Sequence, residues 1–234
     1  MIRAALFDLD DTLCDDRGQM YRAIQLSAEA GVGMEKAAAL AEAYTVISDR
    51  YWYQELTLSK PPSLTEIRKK LWSMALVEAV GEVDEAVLDT ILTRYDALRR
   101  EPIPPFPGTL ETLTALKSAG IRLAVLTNGL AETHFAKAEM LGITGLVEEI
   151  FTPDTLGTAK PDARAFHQVC AHLGVPPEHT VHVGDSLLTD VGGACGAGLQ
   201  AVWFNPSGAP RPAEAAVPHH EITALSDLIL LLTS

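Results

Sequence analysis

Residues 2–13 of this 234-residue chain read IRAALFDLDDTL, an apolar run that ends in a cluster of acids. The run, residues 2–7, has the length and composition of a strand that is buried on both faces. Asp8, Asp10 and Asp11 follow it within four residues, and carboxylates this close repel one another unless a cation binds them or protons are shared. The stretch therefore predicts a core strand whose carboxyl end binds something positively charged.

The composition excludes several classes of protein. Apolar residues make up 47% of the chain and charged residues 21%, which predicts a well-buried core. The 31 acidic and 18 basic side chains give a net charge of −13, which argues against a nucleic-acid binder or a binder of anionic membranes. Cys14, Cys170 and Cys195 lie too far apart to indicate a disulfide framework or a cysteine metal site.

The same sequence carries no signal for a membrane or for secretion. The longest apolar stretches are too short to span a bilayer, and an aspartate at position 8 comes too early for a signal peptide. We therefore expect a soluble, cytoplasmic protein with no membrane partner. The sequence leaves its oligomeric state open, monomer or homodimer.

Strand and helix patterns alternate over most of the chain. After the first run, we expect strands at residues 123–126, 149–151, 180–183 and 201–204. The helical patterns between them, residues 110–119, 132–141 and 163–173, each end at a glycine, namely Gly120, Gly142 and Gly174. This alternation predicts an α/β fold, a Rossmann-like parallel sheet covered by helices on both faces.

A long helical segment interrupts the alternation after the first strand. Helical periodicity runs through residues 19–30, 34–56, 64–80 and 85–100, with no strand between them. Ser63 and Glu66 have the spacing of a capping box, and Trp52 and Tyr53 are interpreted as packing within this helical segment. The sequence therefore predicts a core of residues 1–16 and 103–234, with an all-helical domain of residues 17–102 inserted into it.

Polar residues follow four of the predicted strands. In an open parallel sheet, ligands bind beyond the carboxyl ends of the strands, so we expect these residues to meet there. Converging carboxylates suit Mg²⁺, a hard cation with oxygen ligands, while a lysine and a hydroxyl can hold the oxygens of an anion. The combination fits phosphoryl transfer through an aspartyl-phosphate. The residues are Asp8 and Asp10, then Thr127, Asn128 and Gly129, then Lys160, then Asp185 and Ser186.

These segments, in this order, resemble the four signature motifs of the haloacid dehalogenase superfamily. They are Asp8-Leu9-Asp10-Asp11-Thr12, Thr127-Asn128-Gly129, Lys160-Pro161-Asp162, and Gly184-Asp185-Ser186 through Asp190. The inserted helical domain is similar to the cap of the subclass I members. The resemblance covers nearly the whole chain and implies a phosphatase that depends on Mg²⁺ and acts on a small phosphorylated metabolite.

The resemblance also implies a role for each matched residue. Asp8 corresponds to the nucleophile and Asp10 to the general acid, then base. The metal would be held by the Asp8 carboxylate, the Asp10 backbone carbonyl and the Asp185 carboxylate. Phosphate binding and support of the site fall to a larger group: Thr127, the Asn128 backbone and Lys160 for the phosphoryl oxygens, Asp190 for the metal or Lys160, and Ser186 beside it.

Departures from relatives narrow the expected reaction. Family dehalogenases carry Tyr at the position of Asp10 and phosphonate hydrolases carry Ala, so Asp10 indicates an oxygen leaving group. Asp11, where many relatives have Gly, resembles the subgroup that includes nucleotide and acylneuraminate phosphatases. A sugar phosphomutase that uses the same phosphoaspartate is an alternative. Such enzymes usually have His where Met20 stands, which weakens this alternative without removing it. A phosphorylation-dependent signalling domain is a further alternative, but such domains are about half this length.

Some residues near the motifs are interpreted as structural. Thr12 is expected to bond to local backbone, and His134 is expected on the surface of the first turn of a helix. Asp162 has the position of a helix cap. The proline-rich stretch 205–218 and the His219-His220 pair after it are interpreted as a surface loop.

Overall fold

The computed structural model of the protein describes residues 1–51 and 63–233. The chain divides into two compact units, Met1–Asp16 with Pro102–Ser234, and Arg17–Glu101. The end of the helix expected over residues 34–56, and the packing expected for Trp52 and Tyr53, fall outside the described residues. In the part of the chain that is described, none of the helices combines the length and apolar character that crossing a bilayer requires.

A parallel sheet forms the centre of the first unit, which confirms the predicted α/β fold. Within the described residues it has six strands in the order β3-β2-β1-β4-β5-β6, and all neighbouring pairs are parallel. The strands are β1 (Ala4–Phe7), β2 (Arg122–Leu126), β3 (Ile150–Phe151), β4 (Thr180–Gly184), β5 (Gln200–Phe204) and β6 (His220–Ile222). The order reverses direction between β1 and β4, so this is the switch point at which ligands bind in such sheets.

The register of the sheet brings the ends of the central strands to one level. Phe7 of β1 is paired with Val125 of β2 on one side and with Val183 of β4 on the other. The backbone N–H of Asp8 then donates to the carbonyl of Val183 at 2.9 Å, and that of Thr127 donates to the carbonyl of Phe151 at 3.0 Å. The loops that carry the predicted site residues therefore leave the sheet side by side.

Helices cover both faces of the sheet because the strand residues alternate between two apolar clusters. Ala5 and Phe7 face one cluster and Ala4 and Leu6 face the other. Burying a side chain such as Phe7 stabilises the fold by about 1.5–3 kcal/mol. The helices of this unit are α5 (Thr109–Ser118), α6 (Ala131–Met140), α7 (Pro153–Leu156), α8 (Ala163–Leu173), α9 (Gly193–Gly196) and α10 (Asp227–Thr233). Asp162 caps α8 as predicted, since its side chain accepts from the N–H of Arg164 at 2.9 Å.

The sixth strand corrects the prediction of a loop at the histidine pair. His220 begins β6 and is paired with Val202 of β5. His219 also contacts β5, because its Nδ1 accepts from the N–H of Ala201 at 3.0 Å. The strand has only Ile222 buried among its three residues. It therefore has no apolar run that a sequence pattern could reveal.

The second unit contains, within its described residues, the helices α1, α2, α3 and α4. Their bounds are Asp16–Val32, with Asp16 itself in the first unit, then Met34–Arg50, Leu64–Val80 and Glu85–Leu98. The predicted capping box is confirmed at the start of α3, where Ser63 and Glu66 each accept a hydrogen bond from the backbone of the other. The core of the unit includes three aromatic rings, with Tyr44 stacked on Trp72 at 4.0 Å and Tyr95 5.7 Å from both.

Candidate active site

The turn after β1 separates two aspartates that lie only two residues apart. The N–H of Leu13 donates to the carbonyl of Leu9 at 2.9 Å, and the N–H of Asp11 donates to that of Cys14 at 2.8 Å. Asp11 has a φ of 60°, in the left-handed region where Asp is better tolerated than most side chains. The tight turn leaves Asp8 buried and Asp10 half-buried beside it. The two carboxylates therefore have different surroundings.

Lys160 connects the first motif to the last. Its Nζ donates to Oδ1 of Asp8 at 2.5 Å and to Oδ1 of Asp190 at 2.6 Å, and the lysine is buried. The side chain of Asn128 fixes the backbone of this lysine, accepting from its N–H at 2.9 Å and donating to its carbonyl at 2.8 Å. Residues from three other segments are thus held together around this one lysine.

Asp190 is held on all sides, which suits it to orient Lys160. His182, buried on β4, has its Nε2 2.8 Å from Oδ1 of Asp190, and the N–H of Ser186 donates to Oδ2 at 3.0 Å. A side chain at position 184 would clash with this carboxylate, because a Cβ on Gly184 would lie 2.2 Å from its Cγ. Sequence reasoning did not identify His182, because a histidine within a strand pattern does not indicate that it contacts Asp190.

The backbone of Asp185 is hydrogen-bonded to residues of two other segments of the chain. Its N–H donates to Oγ1 of Thr12 at 3.1 Å, and its carbonyl accepts from Nε1 of Trp203 at 2.8 Å. Thr12 is therefore structural, as expected, but its partner is on a distant segment rather than in the local backbone. These bonds place the loop that carries Asp185 next to the loop that carries Asp8.

Three carboxylates form a cluster that fits a divalent cation. Oxygens of Asp8, Asp185 and Asp190 all lie within 4.8 Å of one another. The pKa of Asp8 is raised to about 7, chiefly by burial; Lys160 lowers it, and Asp190 and Asp10 raise it. The three carboxylates outnumber the single ammonium group of Lys160, which contacts two of them. A set of carboxylate oxygens with excess negative charge is what Mg²⁺ requires.

Asp10 is bound by two residues of α6 that lie on one face of that helix. Lys137 makes an ion pair with Oδ1 of Asp10 and a second one with Oδ1 of Asp16, at 2.8 Å. His134 has its Nε2 3.3 Å from Oδ2 of Asp10 and its Nδ1 3.0 Å from Oγ1 of Thr127. Although burial opposes it, the hydrogen bonds and charges of these two residues hold the pKa of Asp10 well below its usual range.

The placement of His134 contradicts the prediction of a surface histidine. It is only 6% exposed because α6 begins at Ala131, directly after the Thr127 loop, and its first turn lies against that loop. Lys137 was not singled out from the sequence. The spacing of the two residues, three apart on a helix, puts them on one face, but it does not tell which way that face points.

The fold is that of a Rossmann-like α/β protein, and three carboxylates and a buried lysine lie together at its switch point. The sequence model of the family described as "haloacid dehalogenase-like hydrolase" matches residues 2–198. The chain belongs to this hydrolase family, which confirms the resemblance carried by the four motifs.

Three relatives illustrate what the chain is similar to. A glyceraldehyde 3-phosphate phosphatase of Methanothermobacter thermautotrophicus is 30% identical over 209 residues, covering 88% of this chain and 86% of the relative. An N-acylneuraminate-9-phosphatase of Rattus norvegicus is 29% identical over 251 residues, covering 100% and 94%. The crystal structure of the family protein YfnB from Bacillus subtilis, bound to magnesium, has a TM-score of 0.78 at 25% identity and covers 100% of this chain and 99% of that one.

Proposed function

We propose that the protein is a Mg²⁺-dependent phosphatase that hydrolyses a small soluble phosphate monoester through an aspartyl-phosphate on Asp8. The observation that carries the proposal is the position of the Asp8 carboxylate. It lies at the switch point of the sheet, 2.5 Å from the Lys160 ammonium. Its position beside Asp10 supplies a nucleophile and a separate proton carrier.

In the first step, an oxygen of Asp8 attacks the phosphorus atom. The bond from phosphorus to the ester oxygen breaks, and its electron pair stays on that oxygen, which takes a proton from Asp10. The Thr127 hydroxyl, the N–H of Asn128 and the Lys160 ammonium would hold the remaining phosphoryl oxygens. The products of this step are the free alcohol and the phosphorylated Asp8.

In the second step, a water oxygen attacks the same phosphorus atom. Asp10 takes a proton from the water, the bond between phosphorus and the Asp8 oxygen breaks, and inorganic phosphate leaves with Asp8 restored. Asp10 must therefore carry a proton in the first step, although Lys137 and His134 favour its ionised form, and must lack one in the second. A single carboxyl can serve both because the first step removes its proton.

The Asp8 carboxylate, the Asp10 backbone carbonyl and the Asp185 carboxylate would hold Mg²⁺, and Asp190 would support Lys160. When bound, the ion offsets the repulsion between the Asp8 carboxylate and an anionic phosphoryl group. This assignment is supported by the excess negative charge of the acidic cluster and by the magnesium in the related YfnB structure.

The names of two relatives support a phosphorylated carbohydrate as the substrate class. One acts on glyceraldehyde 3-phosphate and the other on an N-acylneuraminate 9-phosphate. Asp10 favours such oxygen esters over halogenated acids, since cleaving a carbon–halogen bond gives no leaving oxygen to protonate. No described contact favours the phosphomutase alternative.

A screen of phosphate esters tests the proposal. Sugar phosphates, nucleotides and phosphoglycolate would be incubated with Mg²⁺, and inorganic phosphate would be measured. We expect phosphate release that EDTA abolishes and added Mg²⁺ restores. A second arm would measure chloride release from 2-chloropropionate, and a third would measure isomerised sugar phosphate by NMR. Activity in either of these arms, with no phosphate released in the first, would contradict the proposal.

A further inference from the structure

We propose that Lys137 and His134 are positioning residues that hold Asp10 in the orientation from which it exchanges protons with the leaving group and with water. The inference rests on the proposed phosphatase reaction, because it concerns how that reaction uses Asp10. It assigns a task to two buried polar residues that the four motifs do not include.

Lys137 is a buried lysine, and a buried lysine requires compensation for its charge. It is only 6% exposed, and both of its ion-pair partners are carboxylates, one on Asp10 and one on Asp16. Burying an ammonium group is strongly unfavourable unless the group is paired and hydrogen-bonded. The second carboxylate keeps Lys137 anchored while Asp10 exchanges a proton. The pair with Asp16 therefore makes Lys137 a fixed support rather than a mobile counterion.

His134 joins Asp10 to the proposed phosphate-binding loop, because its ring lies between Asp10 and Thr127. When Asp10 is ionised it only accepts hydrogen bonds, so the Nε2 that faces its Oδ2 carries a proton, while Nδ1 of the same ring lies 3.0 Å from Oγ1 of Thr127. The two oxygens of Asp10 are thus bound by different residues of α6. A carboxylate bound at both oxygens has its rotation fixed.

The loop beneath the ring gives independent support for this arrangement. A Cβ added to Gly129 would lie 1.8 Å from Nε2 of His134, so a side chain at this position would have to displace the imidazole ring. Glycine at this position therefore leaves the space that the imidazole ring occupies. The second motif leaves room for His134 as well as contributing Thr127.

Matched aryl phosphates separate positioning from a merely structural role. The leaving group of p-nitrophenyl phosphate needs little protonation, whereas the leaving group of phenyl phosphate needs more. If Lys137 acts through Asp10, Lys137→Met should lower kcat/KM for phenyl phosphate by about 10²-fold, the low end of the loss of a proton donor. The loss with p-nitrophenyl phosphate should be clearly smaller. Lys117→Met, at an exposed lysine of α5 whose Nζ bonds to the carbonyl of Gly145, is the matched control and should change neither value.

A double mutant tests whether Lys137 acts on the reaction through Asp10. In an Asp10→Asn background, Lys137→Met should cause no further loss with phenyl phosphate, because its effect is transmitted by Asp10. Lys137→Arg, which keeps the charge and the donors, should recover part of the activity. If Lys137→Met does not fold, Lys137→Gln gives the same comparison with a neutral donor in place.

Two results would overturn the inference while leaving the proposed function intact. One is an equal loss with both esters, and the other is full additivity of the Lys137 and Asp10 substitutions. A wild-type protein that releases phosphate from neither aryl ester nor any metabolite would instead overturn the proposed function, and this inference with it.

Discussion

Both compact units bury an apolar core, but the α/β unit also buries charges at the carboxyl ends of its strands. The charged groups buried at the proposed site include Lys160, whose ammonium group lies between the carboxylates of Asp8 and Asp190. The core of the helical unit includes the stacked rings of Tyr44 and Trp72. Buried ion pairs stabilise a fold weakly, because desolvation offsets their attraction, whereas buried aromatic pairs stabilise it. The buried charges therefore add little to stability, which fits the proposed site, whereas the aromatic core stabilises the helical unit.

The largest effect is expected from Asp8→Asn, which keeps the shape of the side chain but removes the nucleophile. Phosphate release should fall to background, since no phosphoenzyme can form. The melting temperature should stay close to that of the wild type, because Lys160 keeps its pair with Asp190. Activity would be measured by phosphate release and stability by circular dichroism. Substantial remaining activity in a folded Asp8→Asn protein would contradict the role of Asp8 as the nucleophile.

Asp10→Asn should have the next largest effect, a loss of about 10²–10⁴-fold with a poor leaving group. The nucleophile remains, so p-nitrophenyl phosphate should still phosphorylate Asp8, and breakdown without a base should become limiting. Rapid quench should therefore show a burst in Asp10→Asn and none in Asp8→Asn. If the burst appeared in Asp8→Asn, the assignment of the two roles would be wrong.

Asp185→Asn should act through the metal rather than through the chemistry. We expect the Mg²⁺ concentration for half-maximal activity to rise by on the order of 10-fold or more, as when groups around a metal are removed. Asp162→Asn is the matched control, because Asn also caps a helix and residue 162 caps α8. An unchanged Mg²⁺ dependence in Asp185→Asn would remove this residue from the metal site.

The smallest effect on activity is expected from Ile91→Val in the helical unit. Ile91 is fully buried in that core, and losing one methyl group should lower the free energy of unfolding by about 1 kcal/mol. Denaturant unfolding would give this change, and kcat should remain as in the wild type. A large fall in kcat with no change in stability would contradict the division of tasks between the units.

Several features could be predicted from short stretches of sequence. The parallel sheet followed from the alternation of apolar runs with helices, and the capping box of α3 followed from residue spacing. The convergence of Asp8, Lys160 and Asp185 follows from one rule, that loops after parallel strands meet at one edge of the sheet. Their roles in catalysis and metal binding remain predictions that the variants above test.

The sequence by itself determined the order of the strands along the chain, the inserted helical segment and the polar residues at the strand ends, because these depend on local periodicity and on the chain direction of a parallel sheet. Only the tertiary structure decided which way α6 faces. Lys137 and Asp10 are 127 positions apart, and nothing in the local pattern of a lysine on a helix distinguishes a solvated side chain from one buried against two carboxylates. Packing decides between these states, because the partner charges arrive from another segment only when the chain has folded.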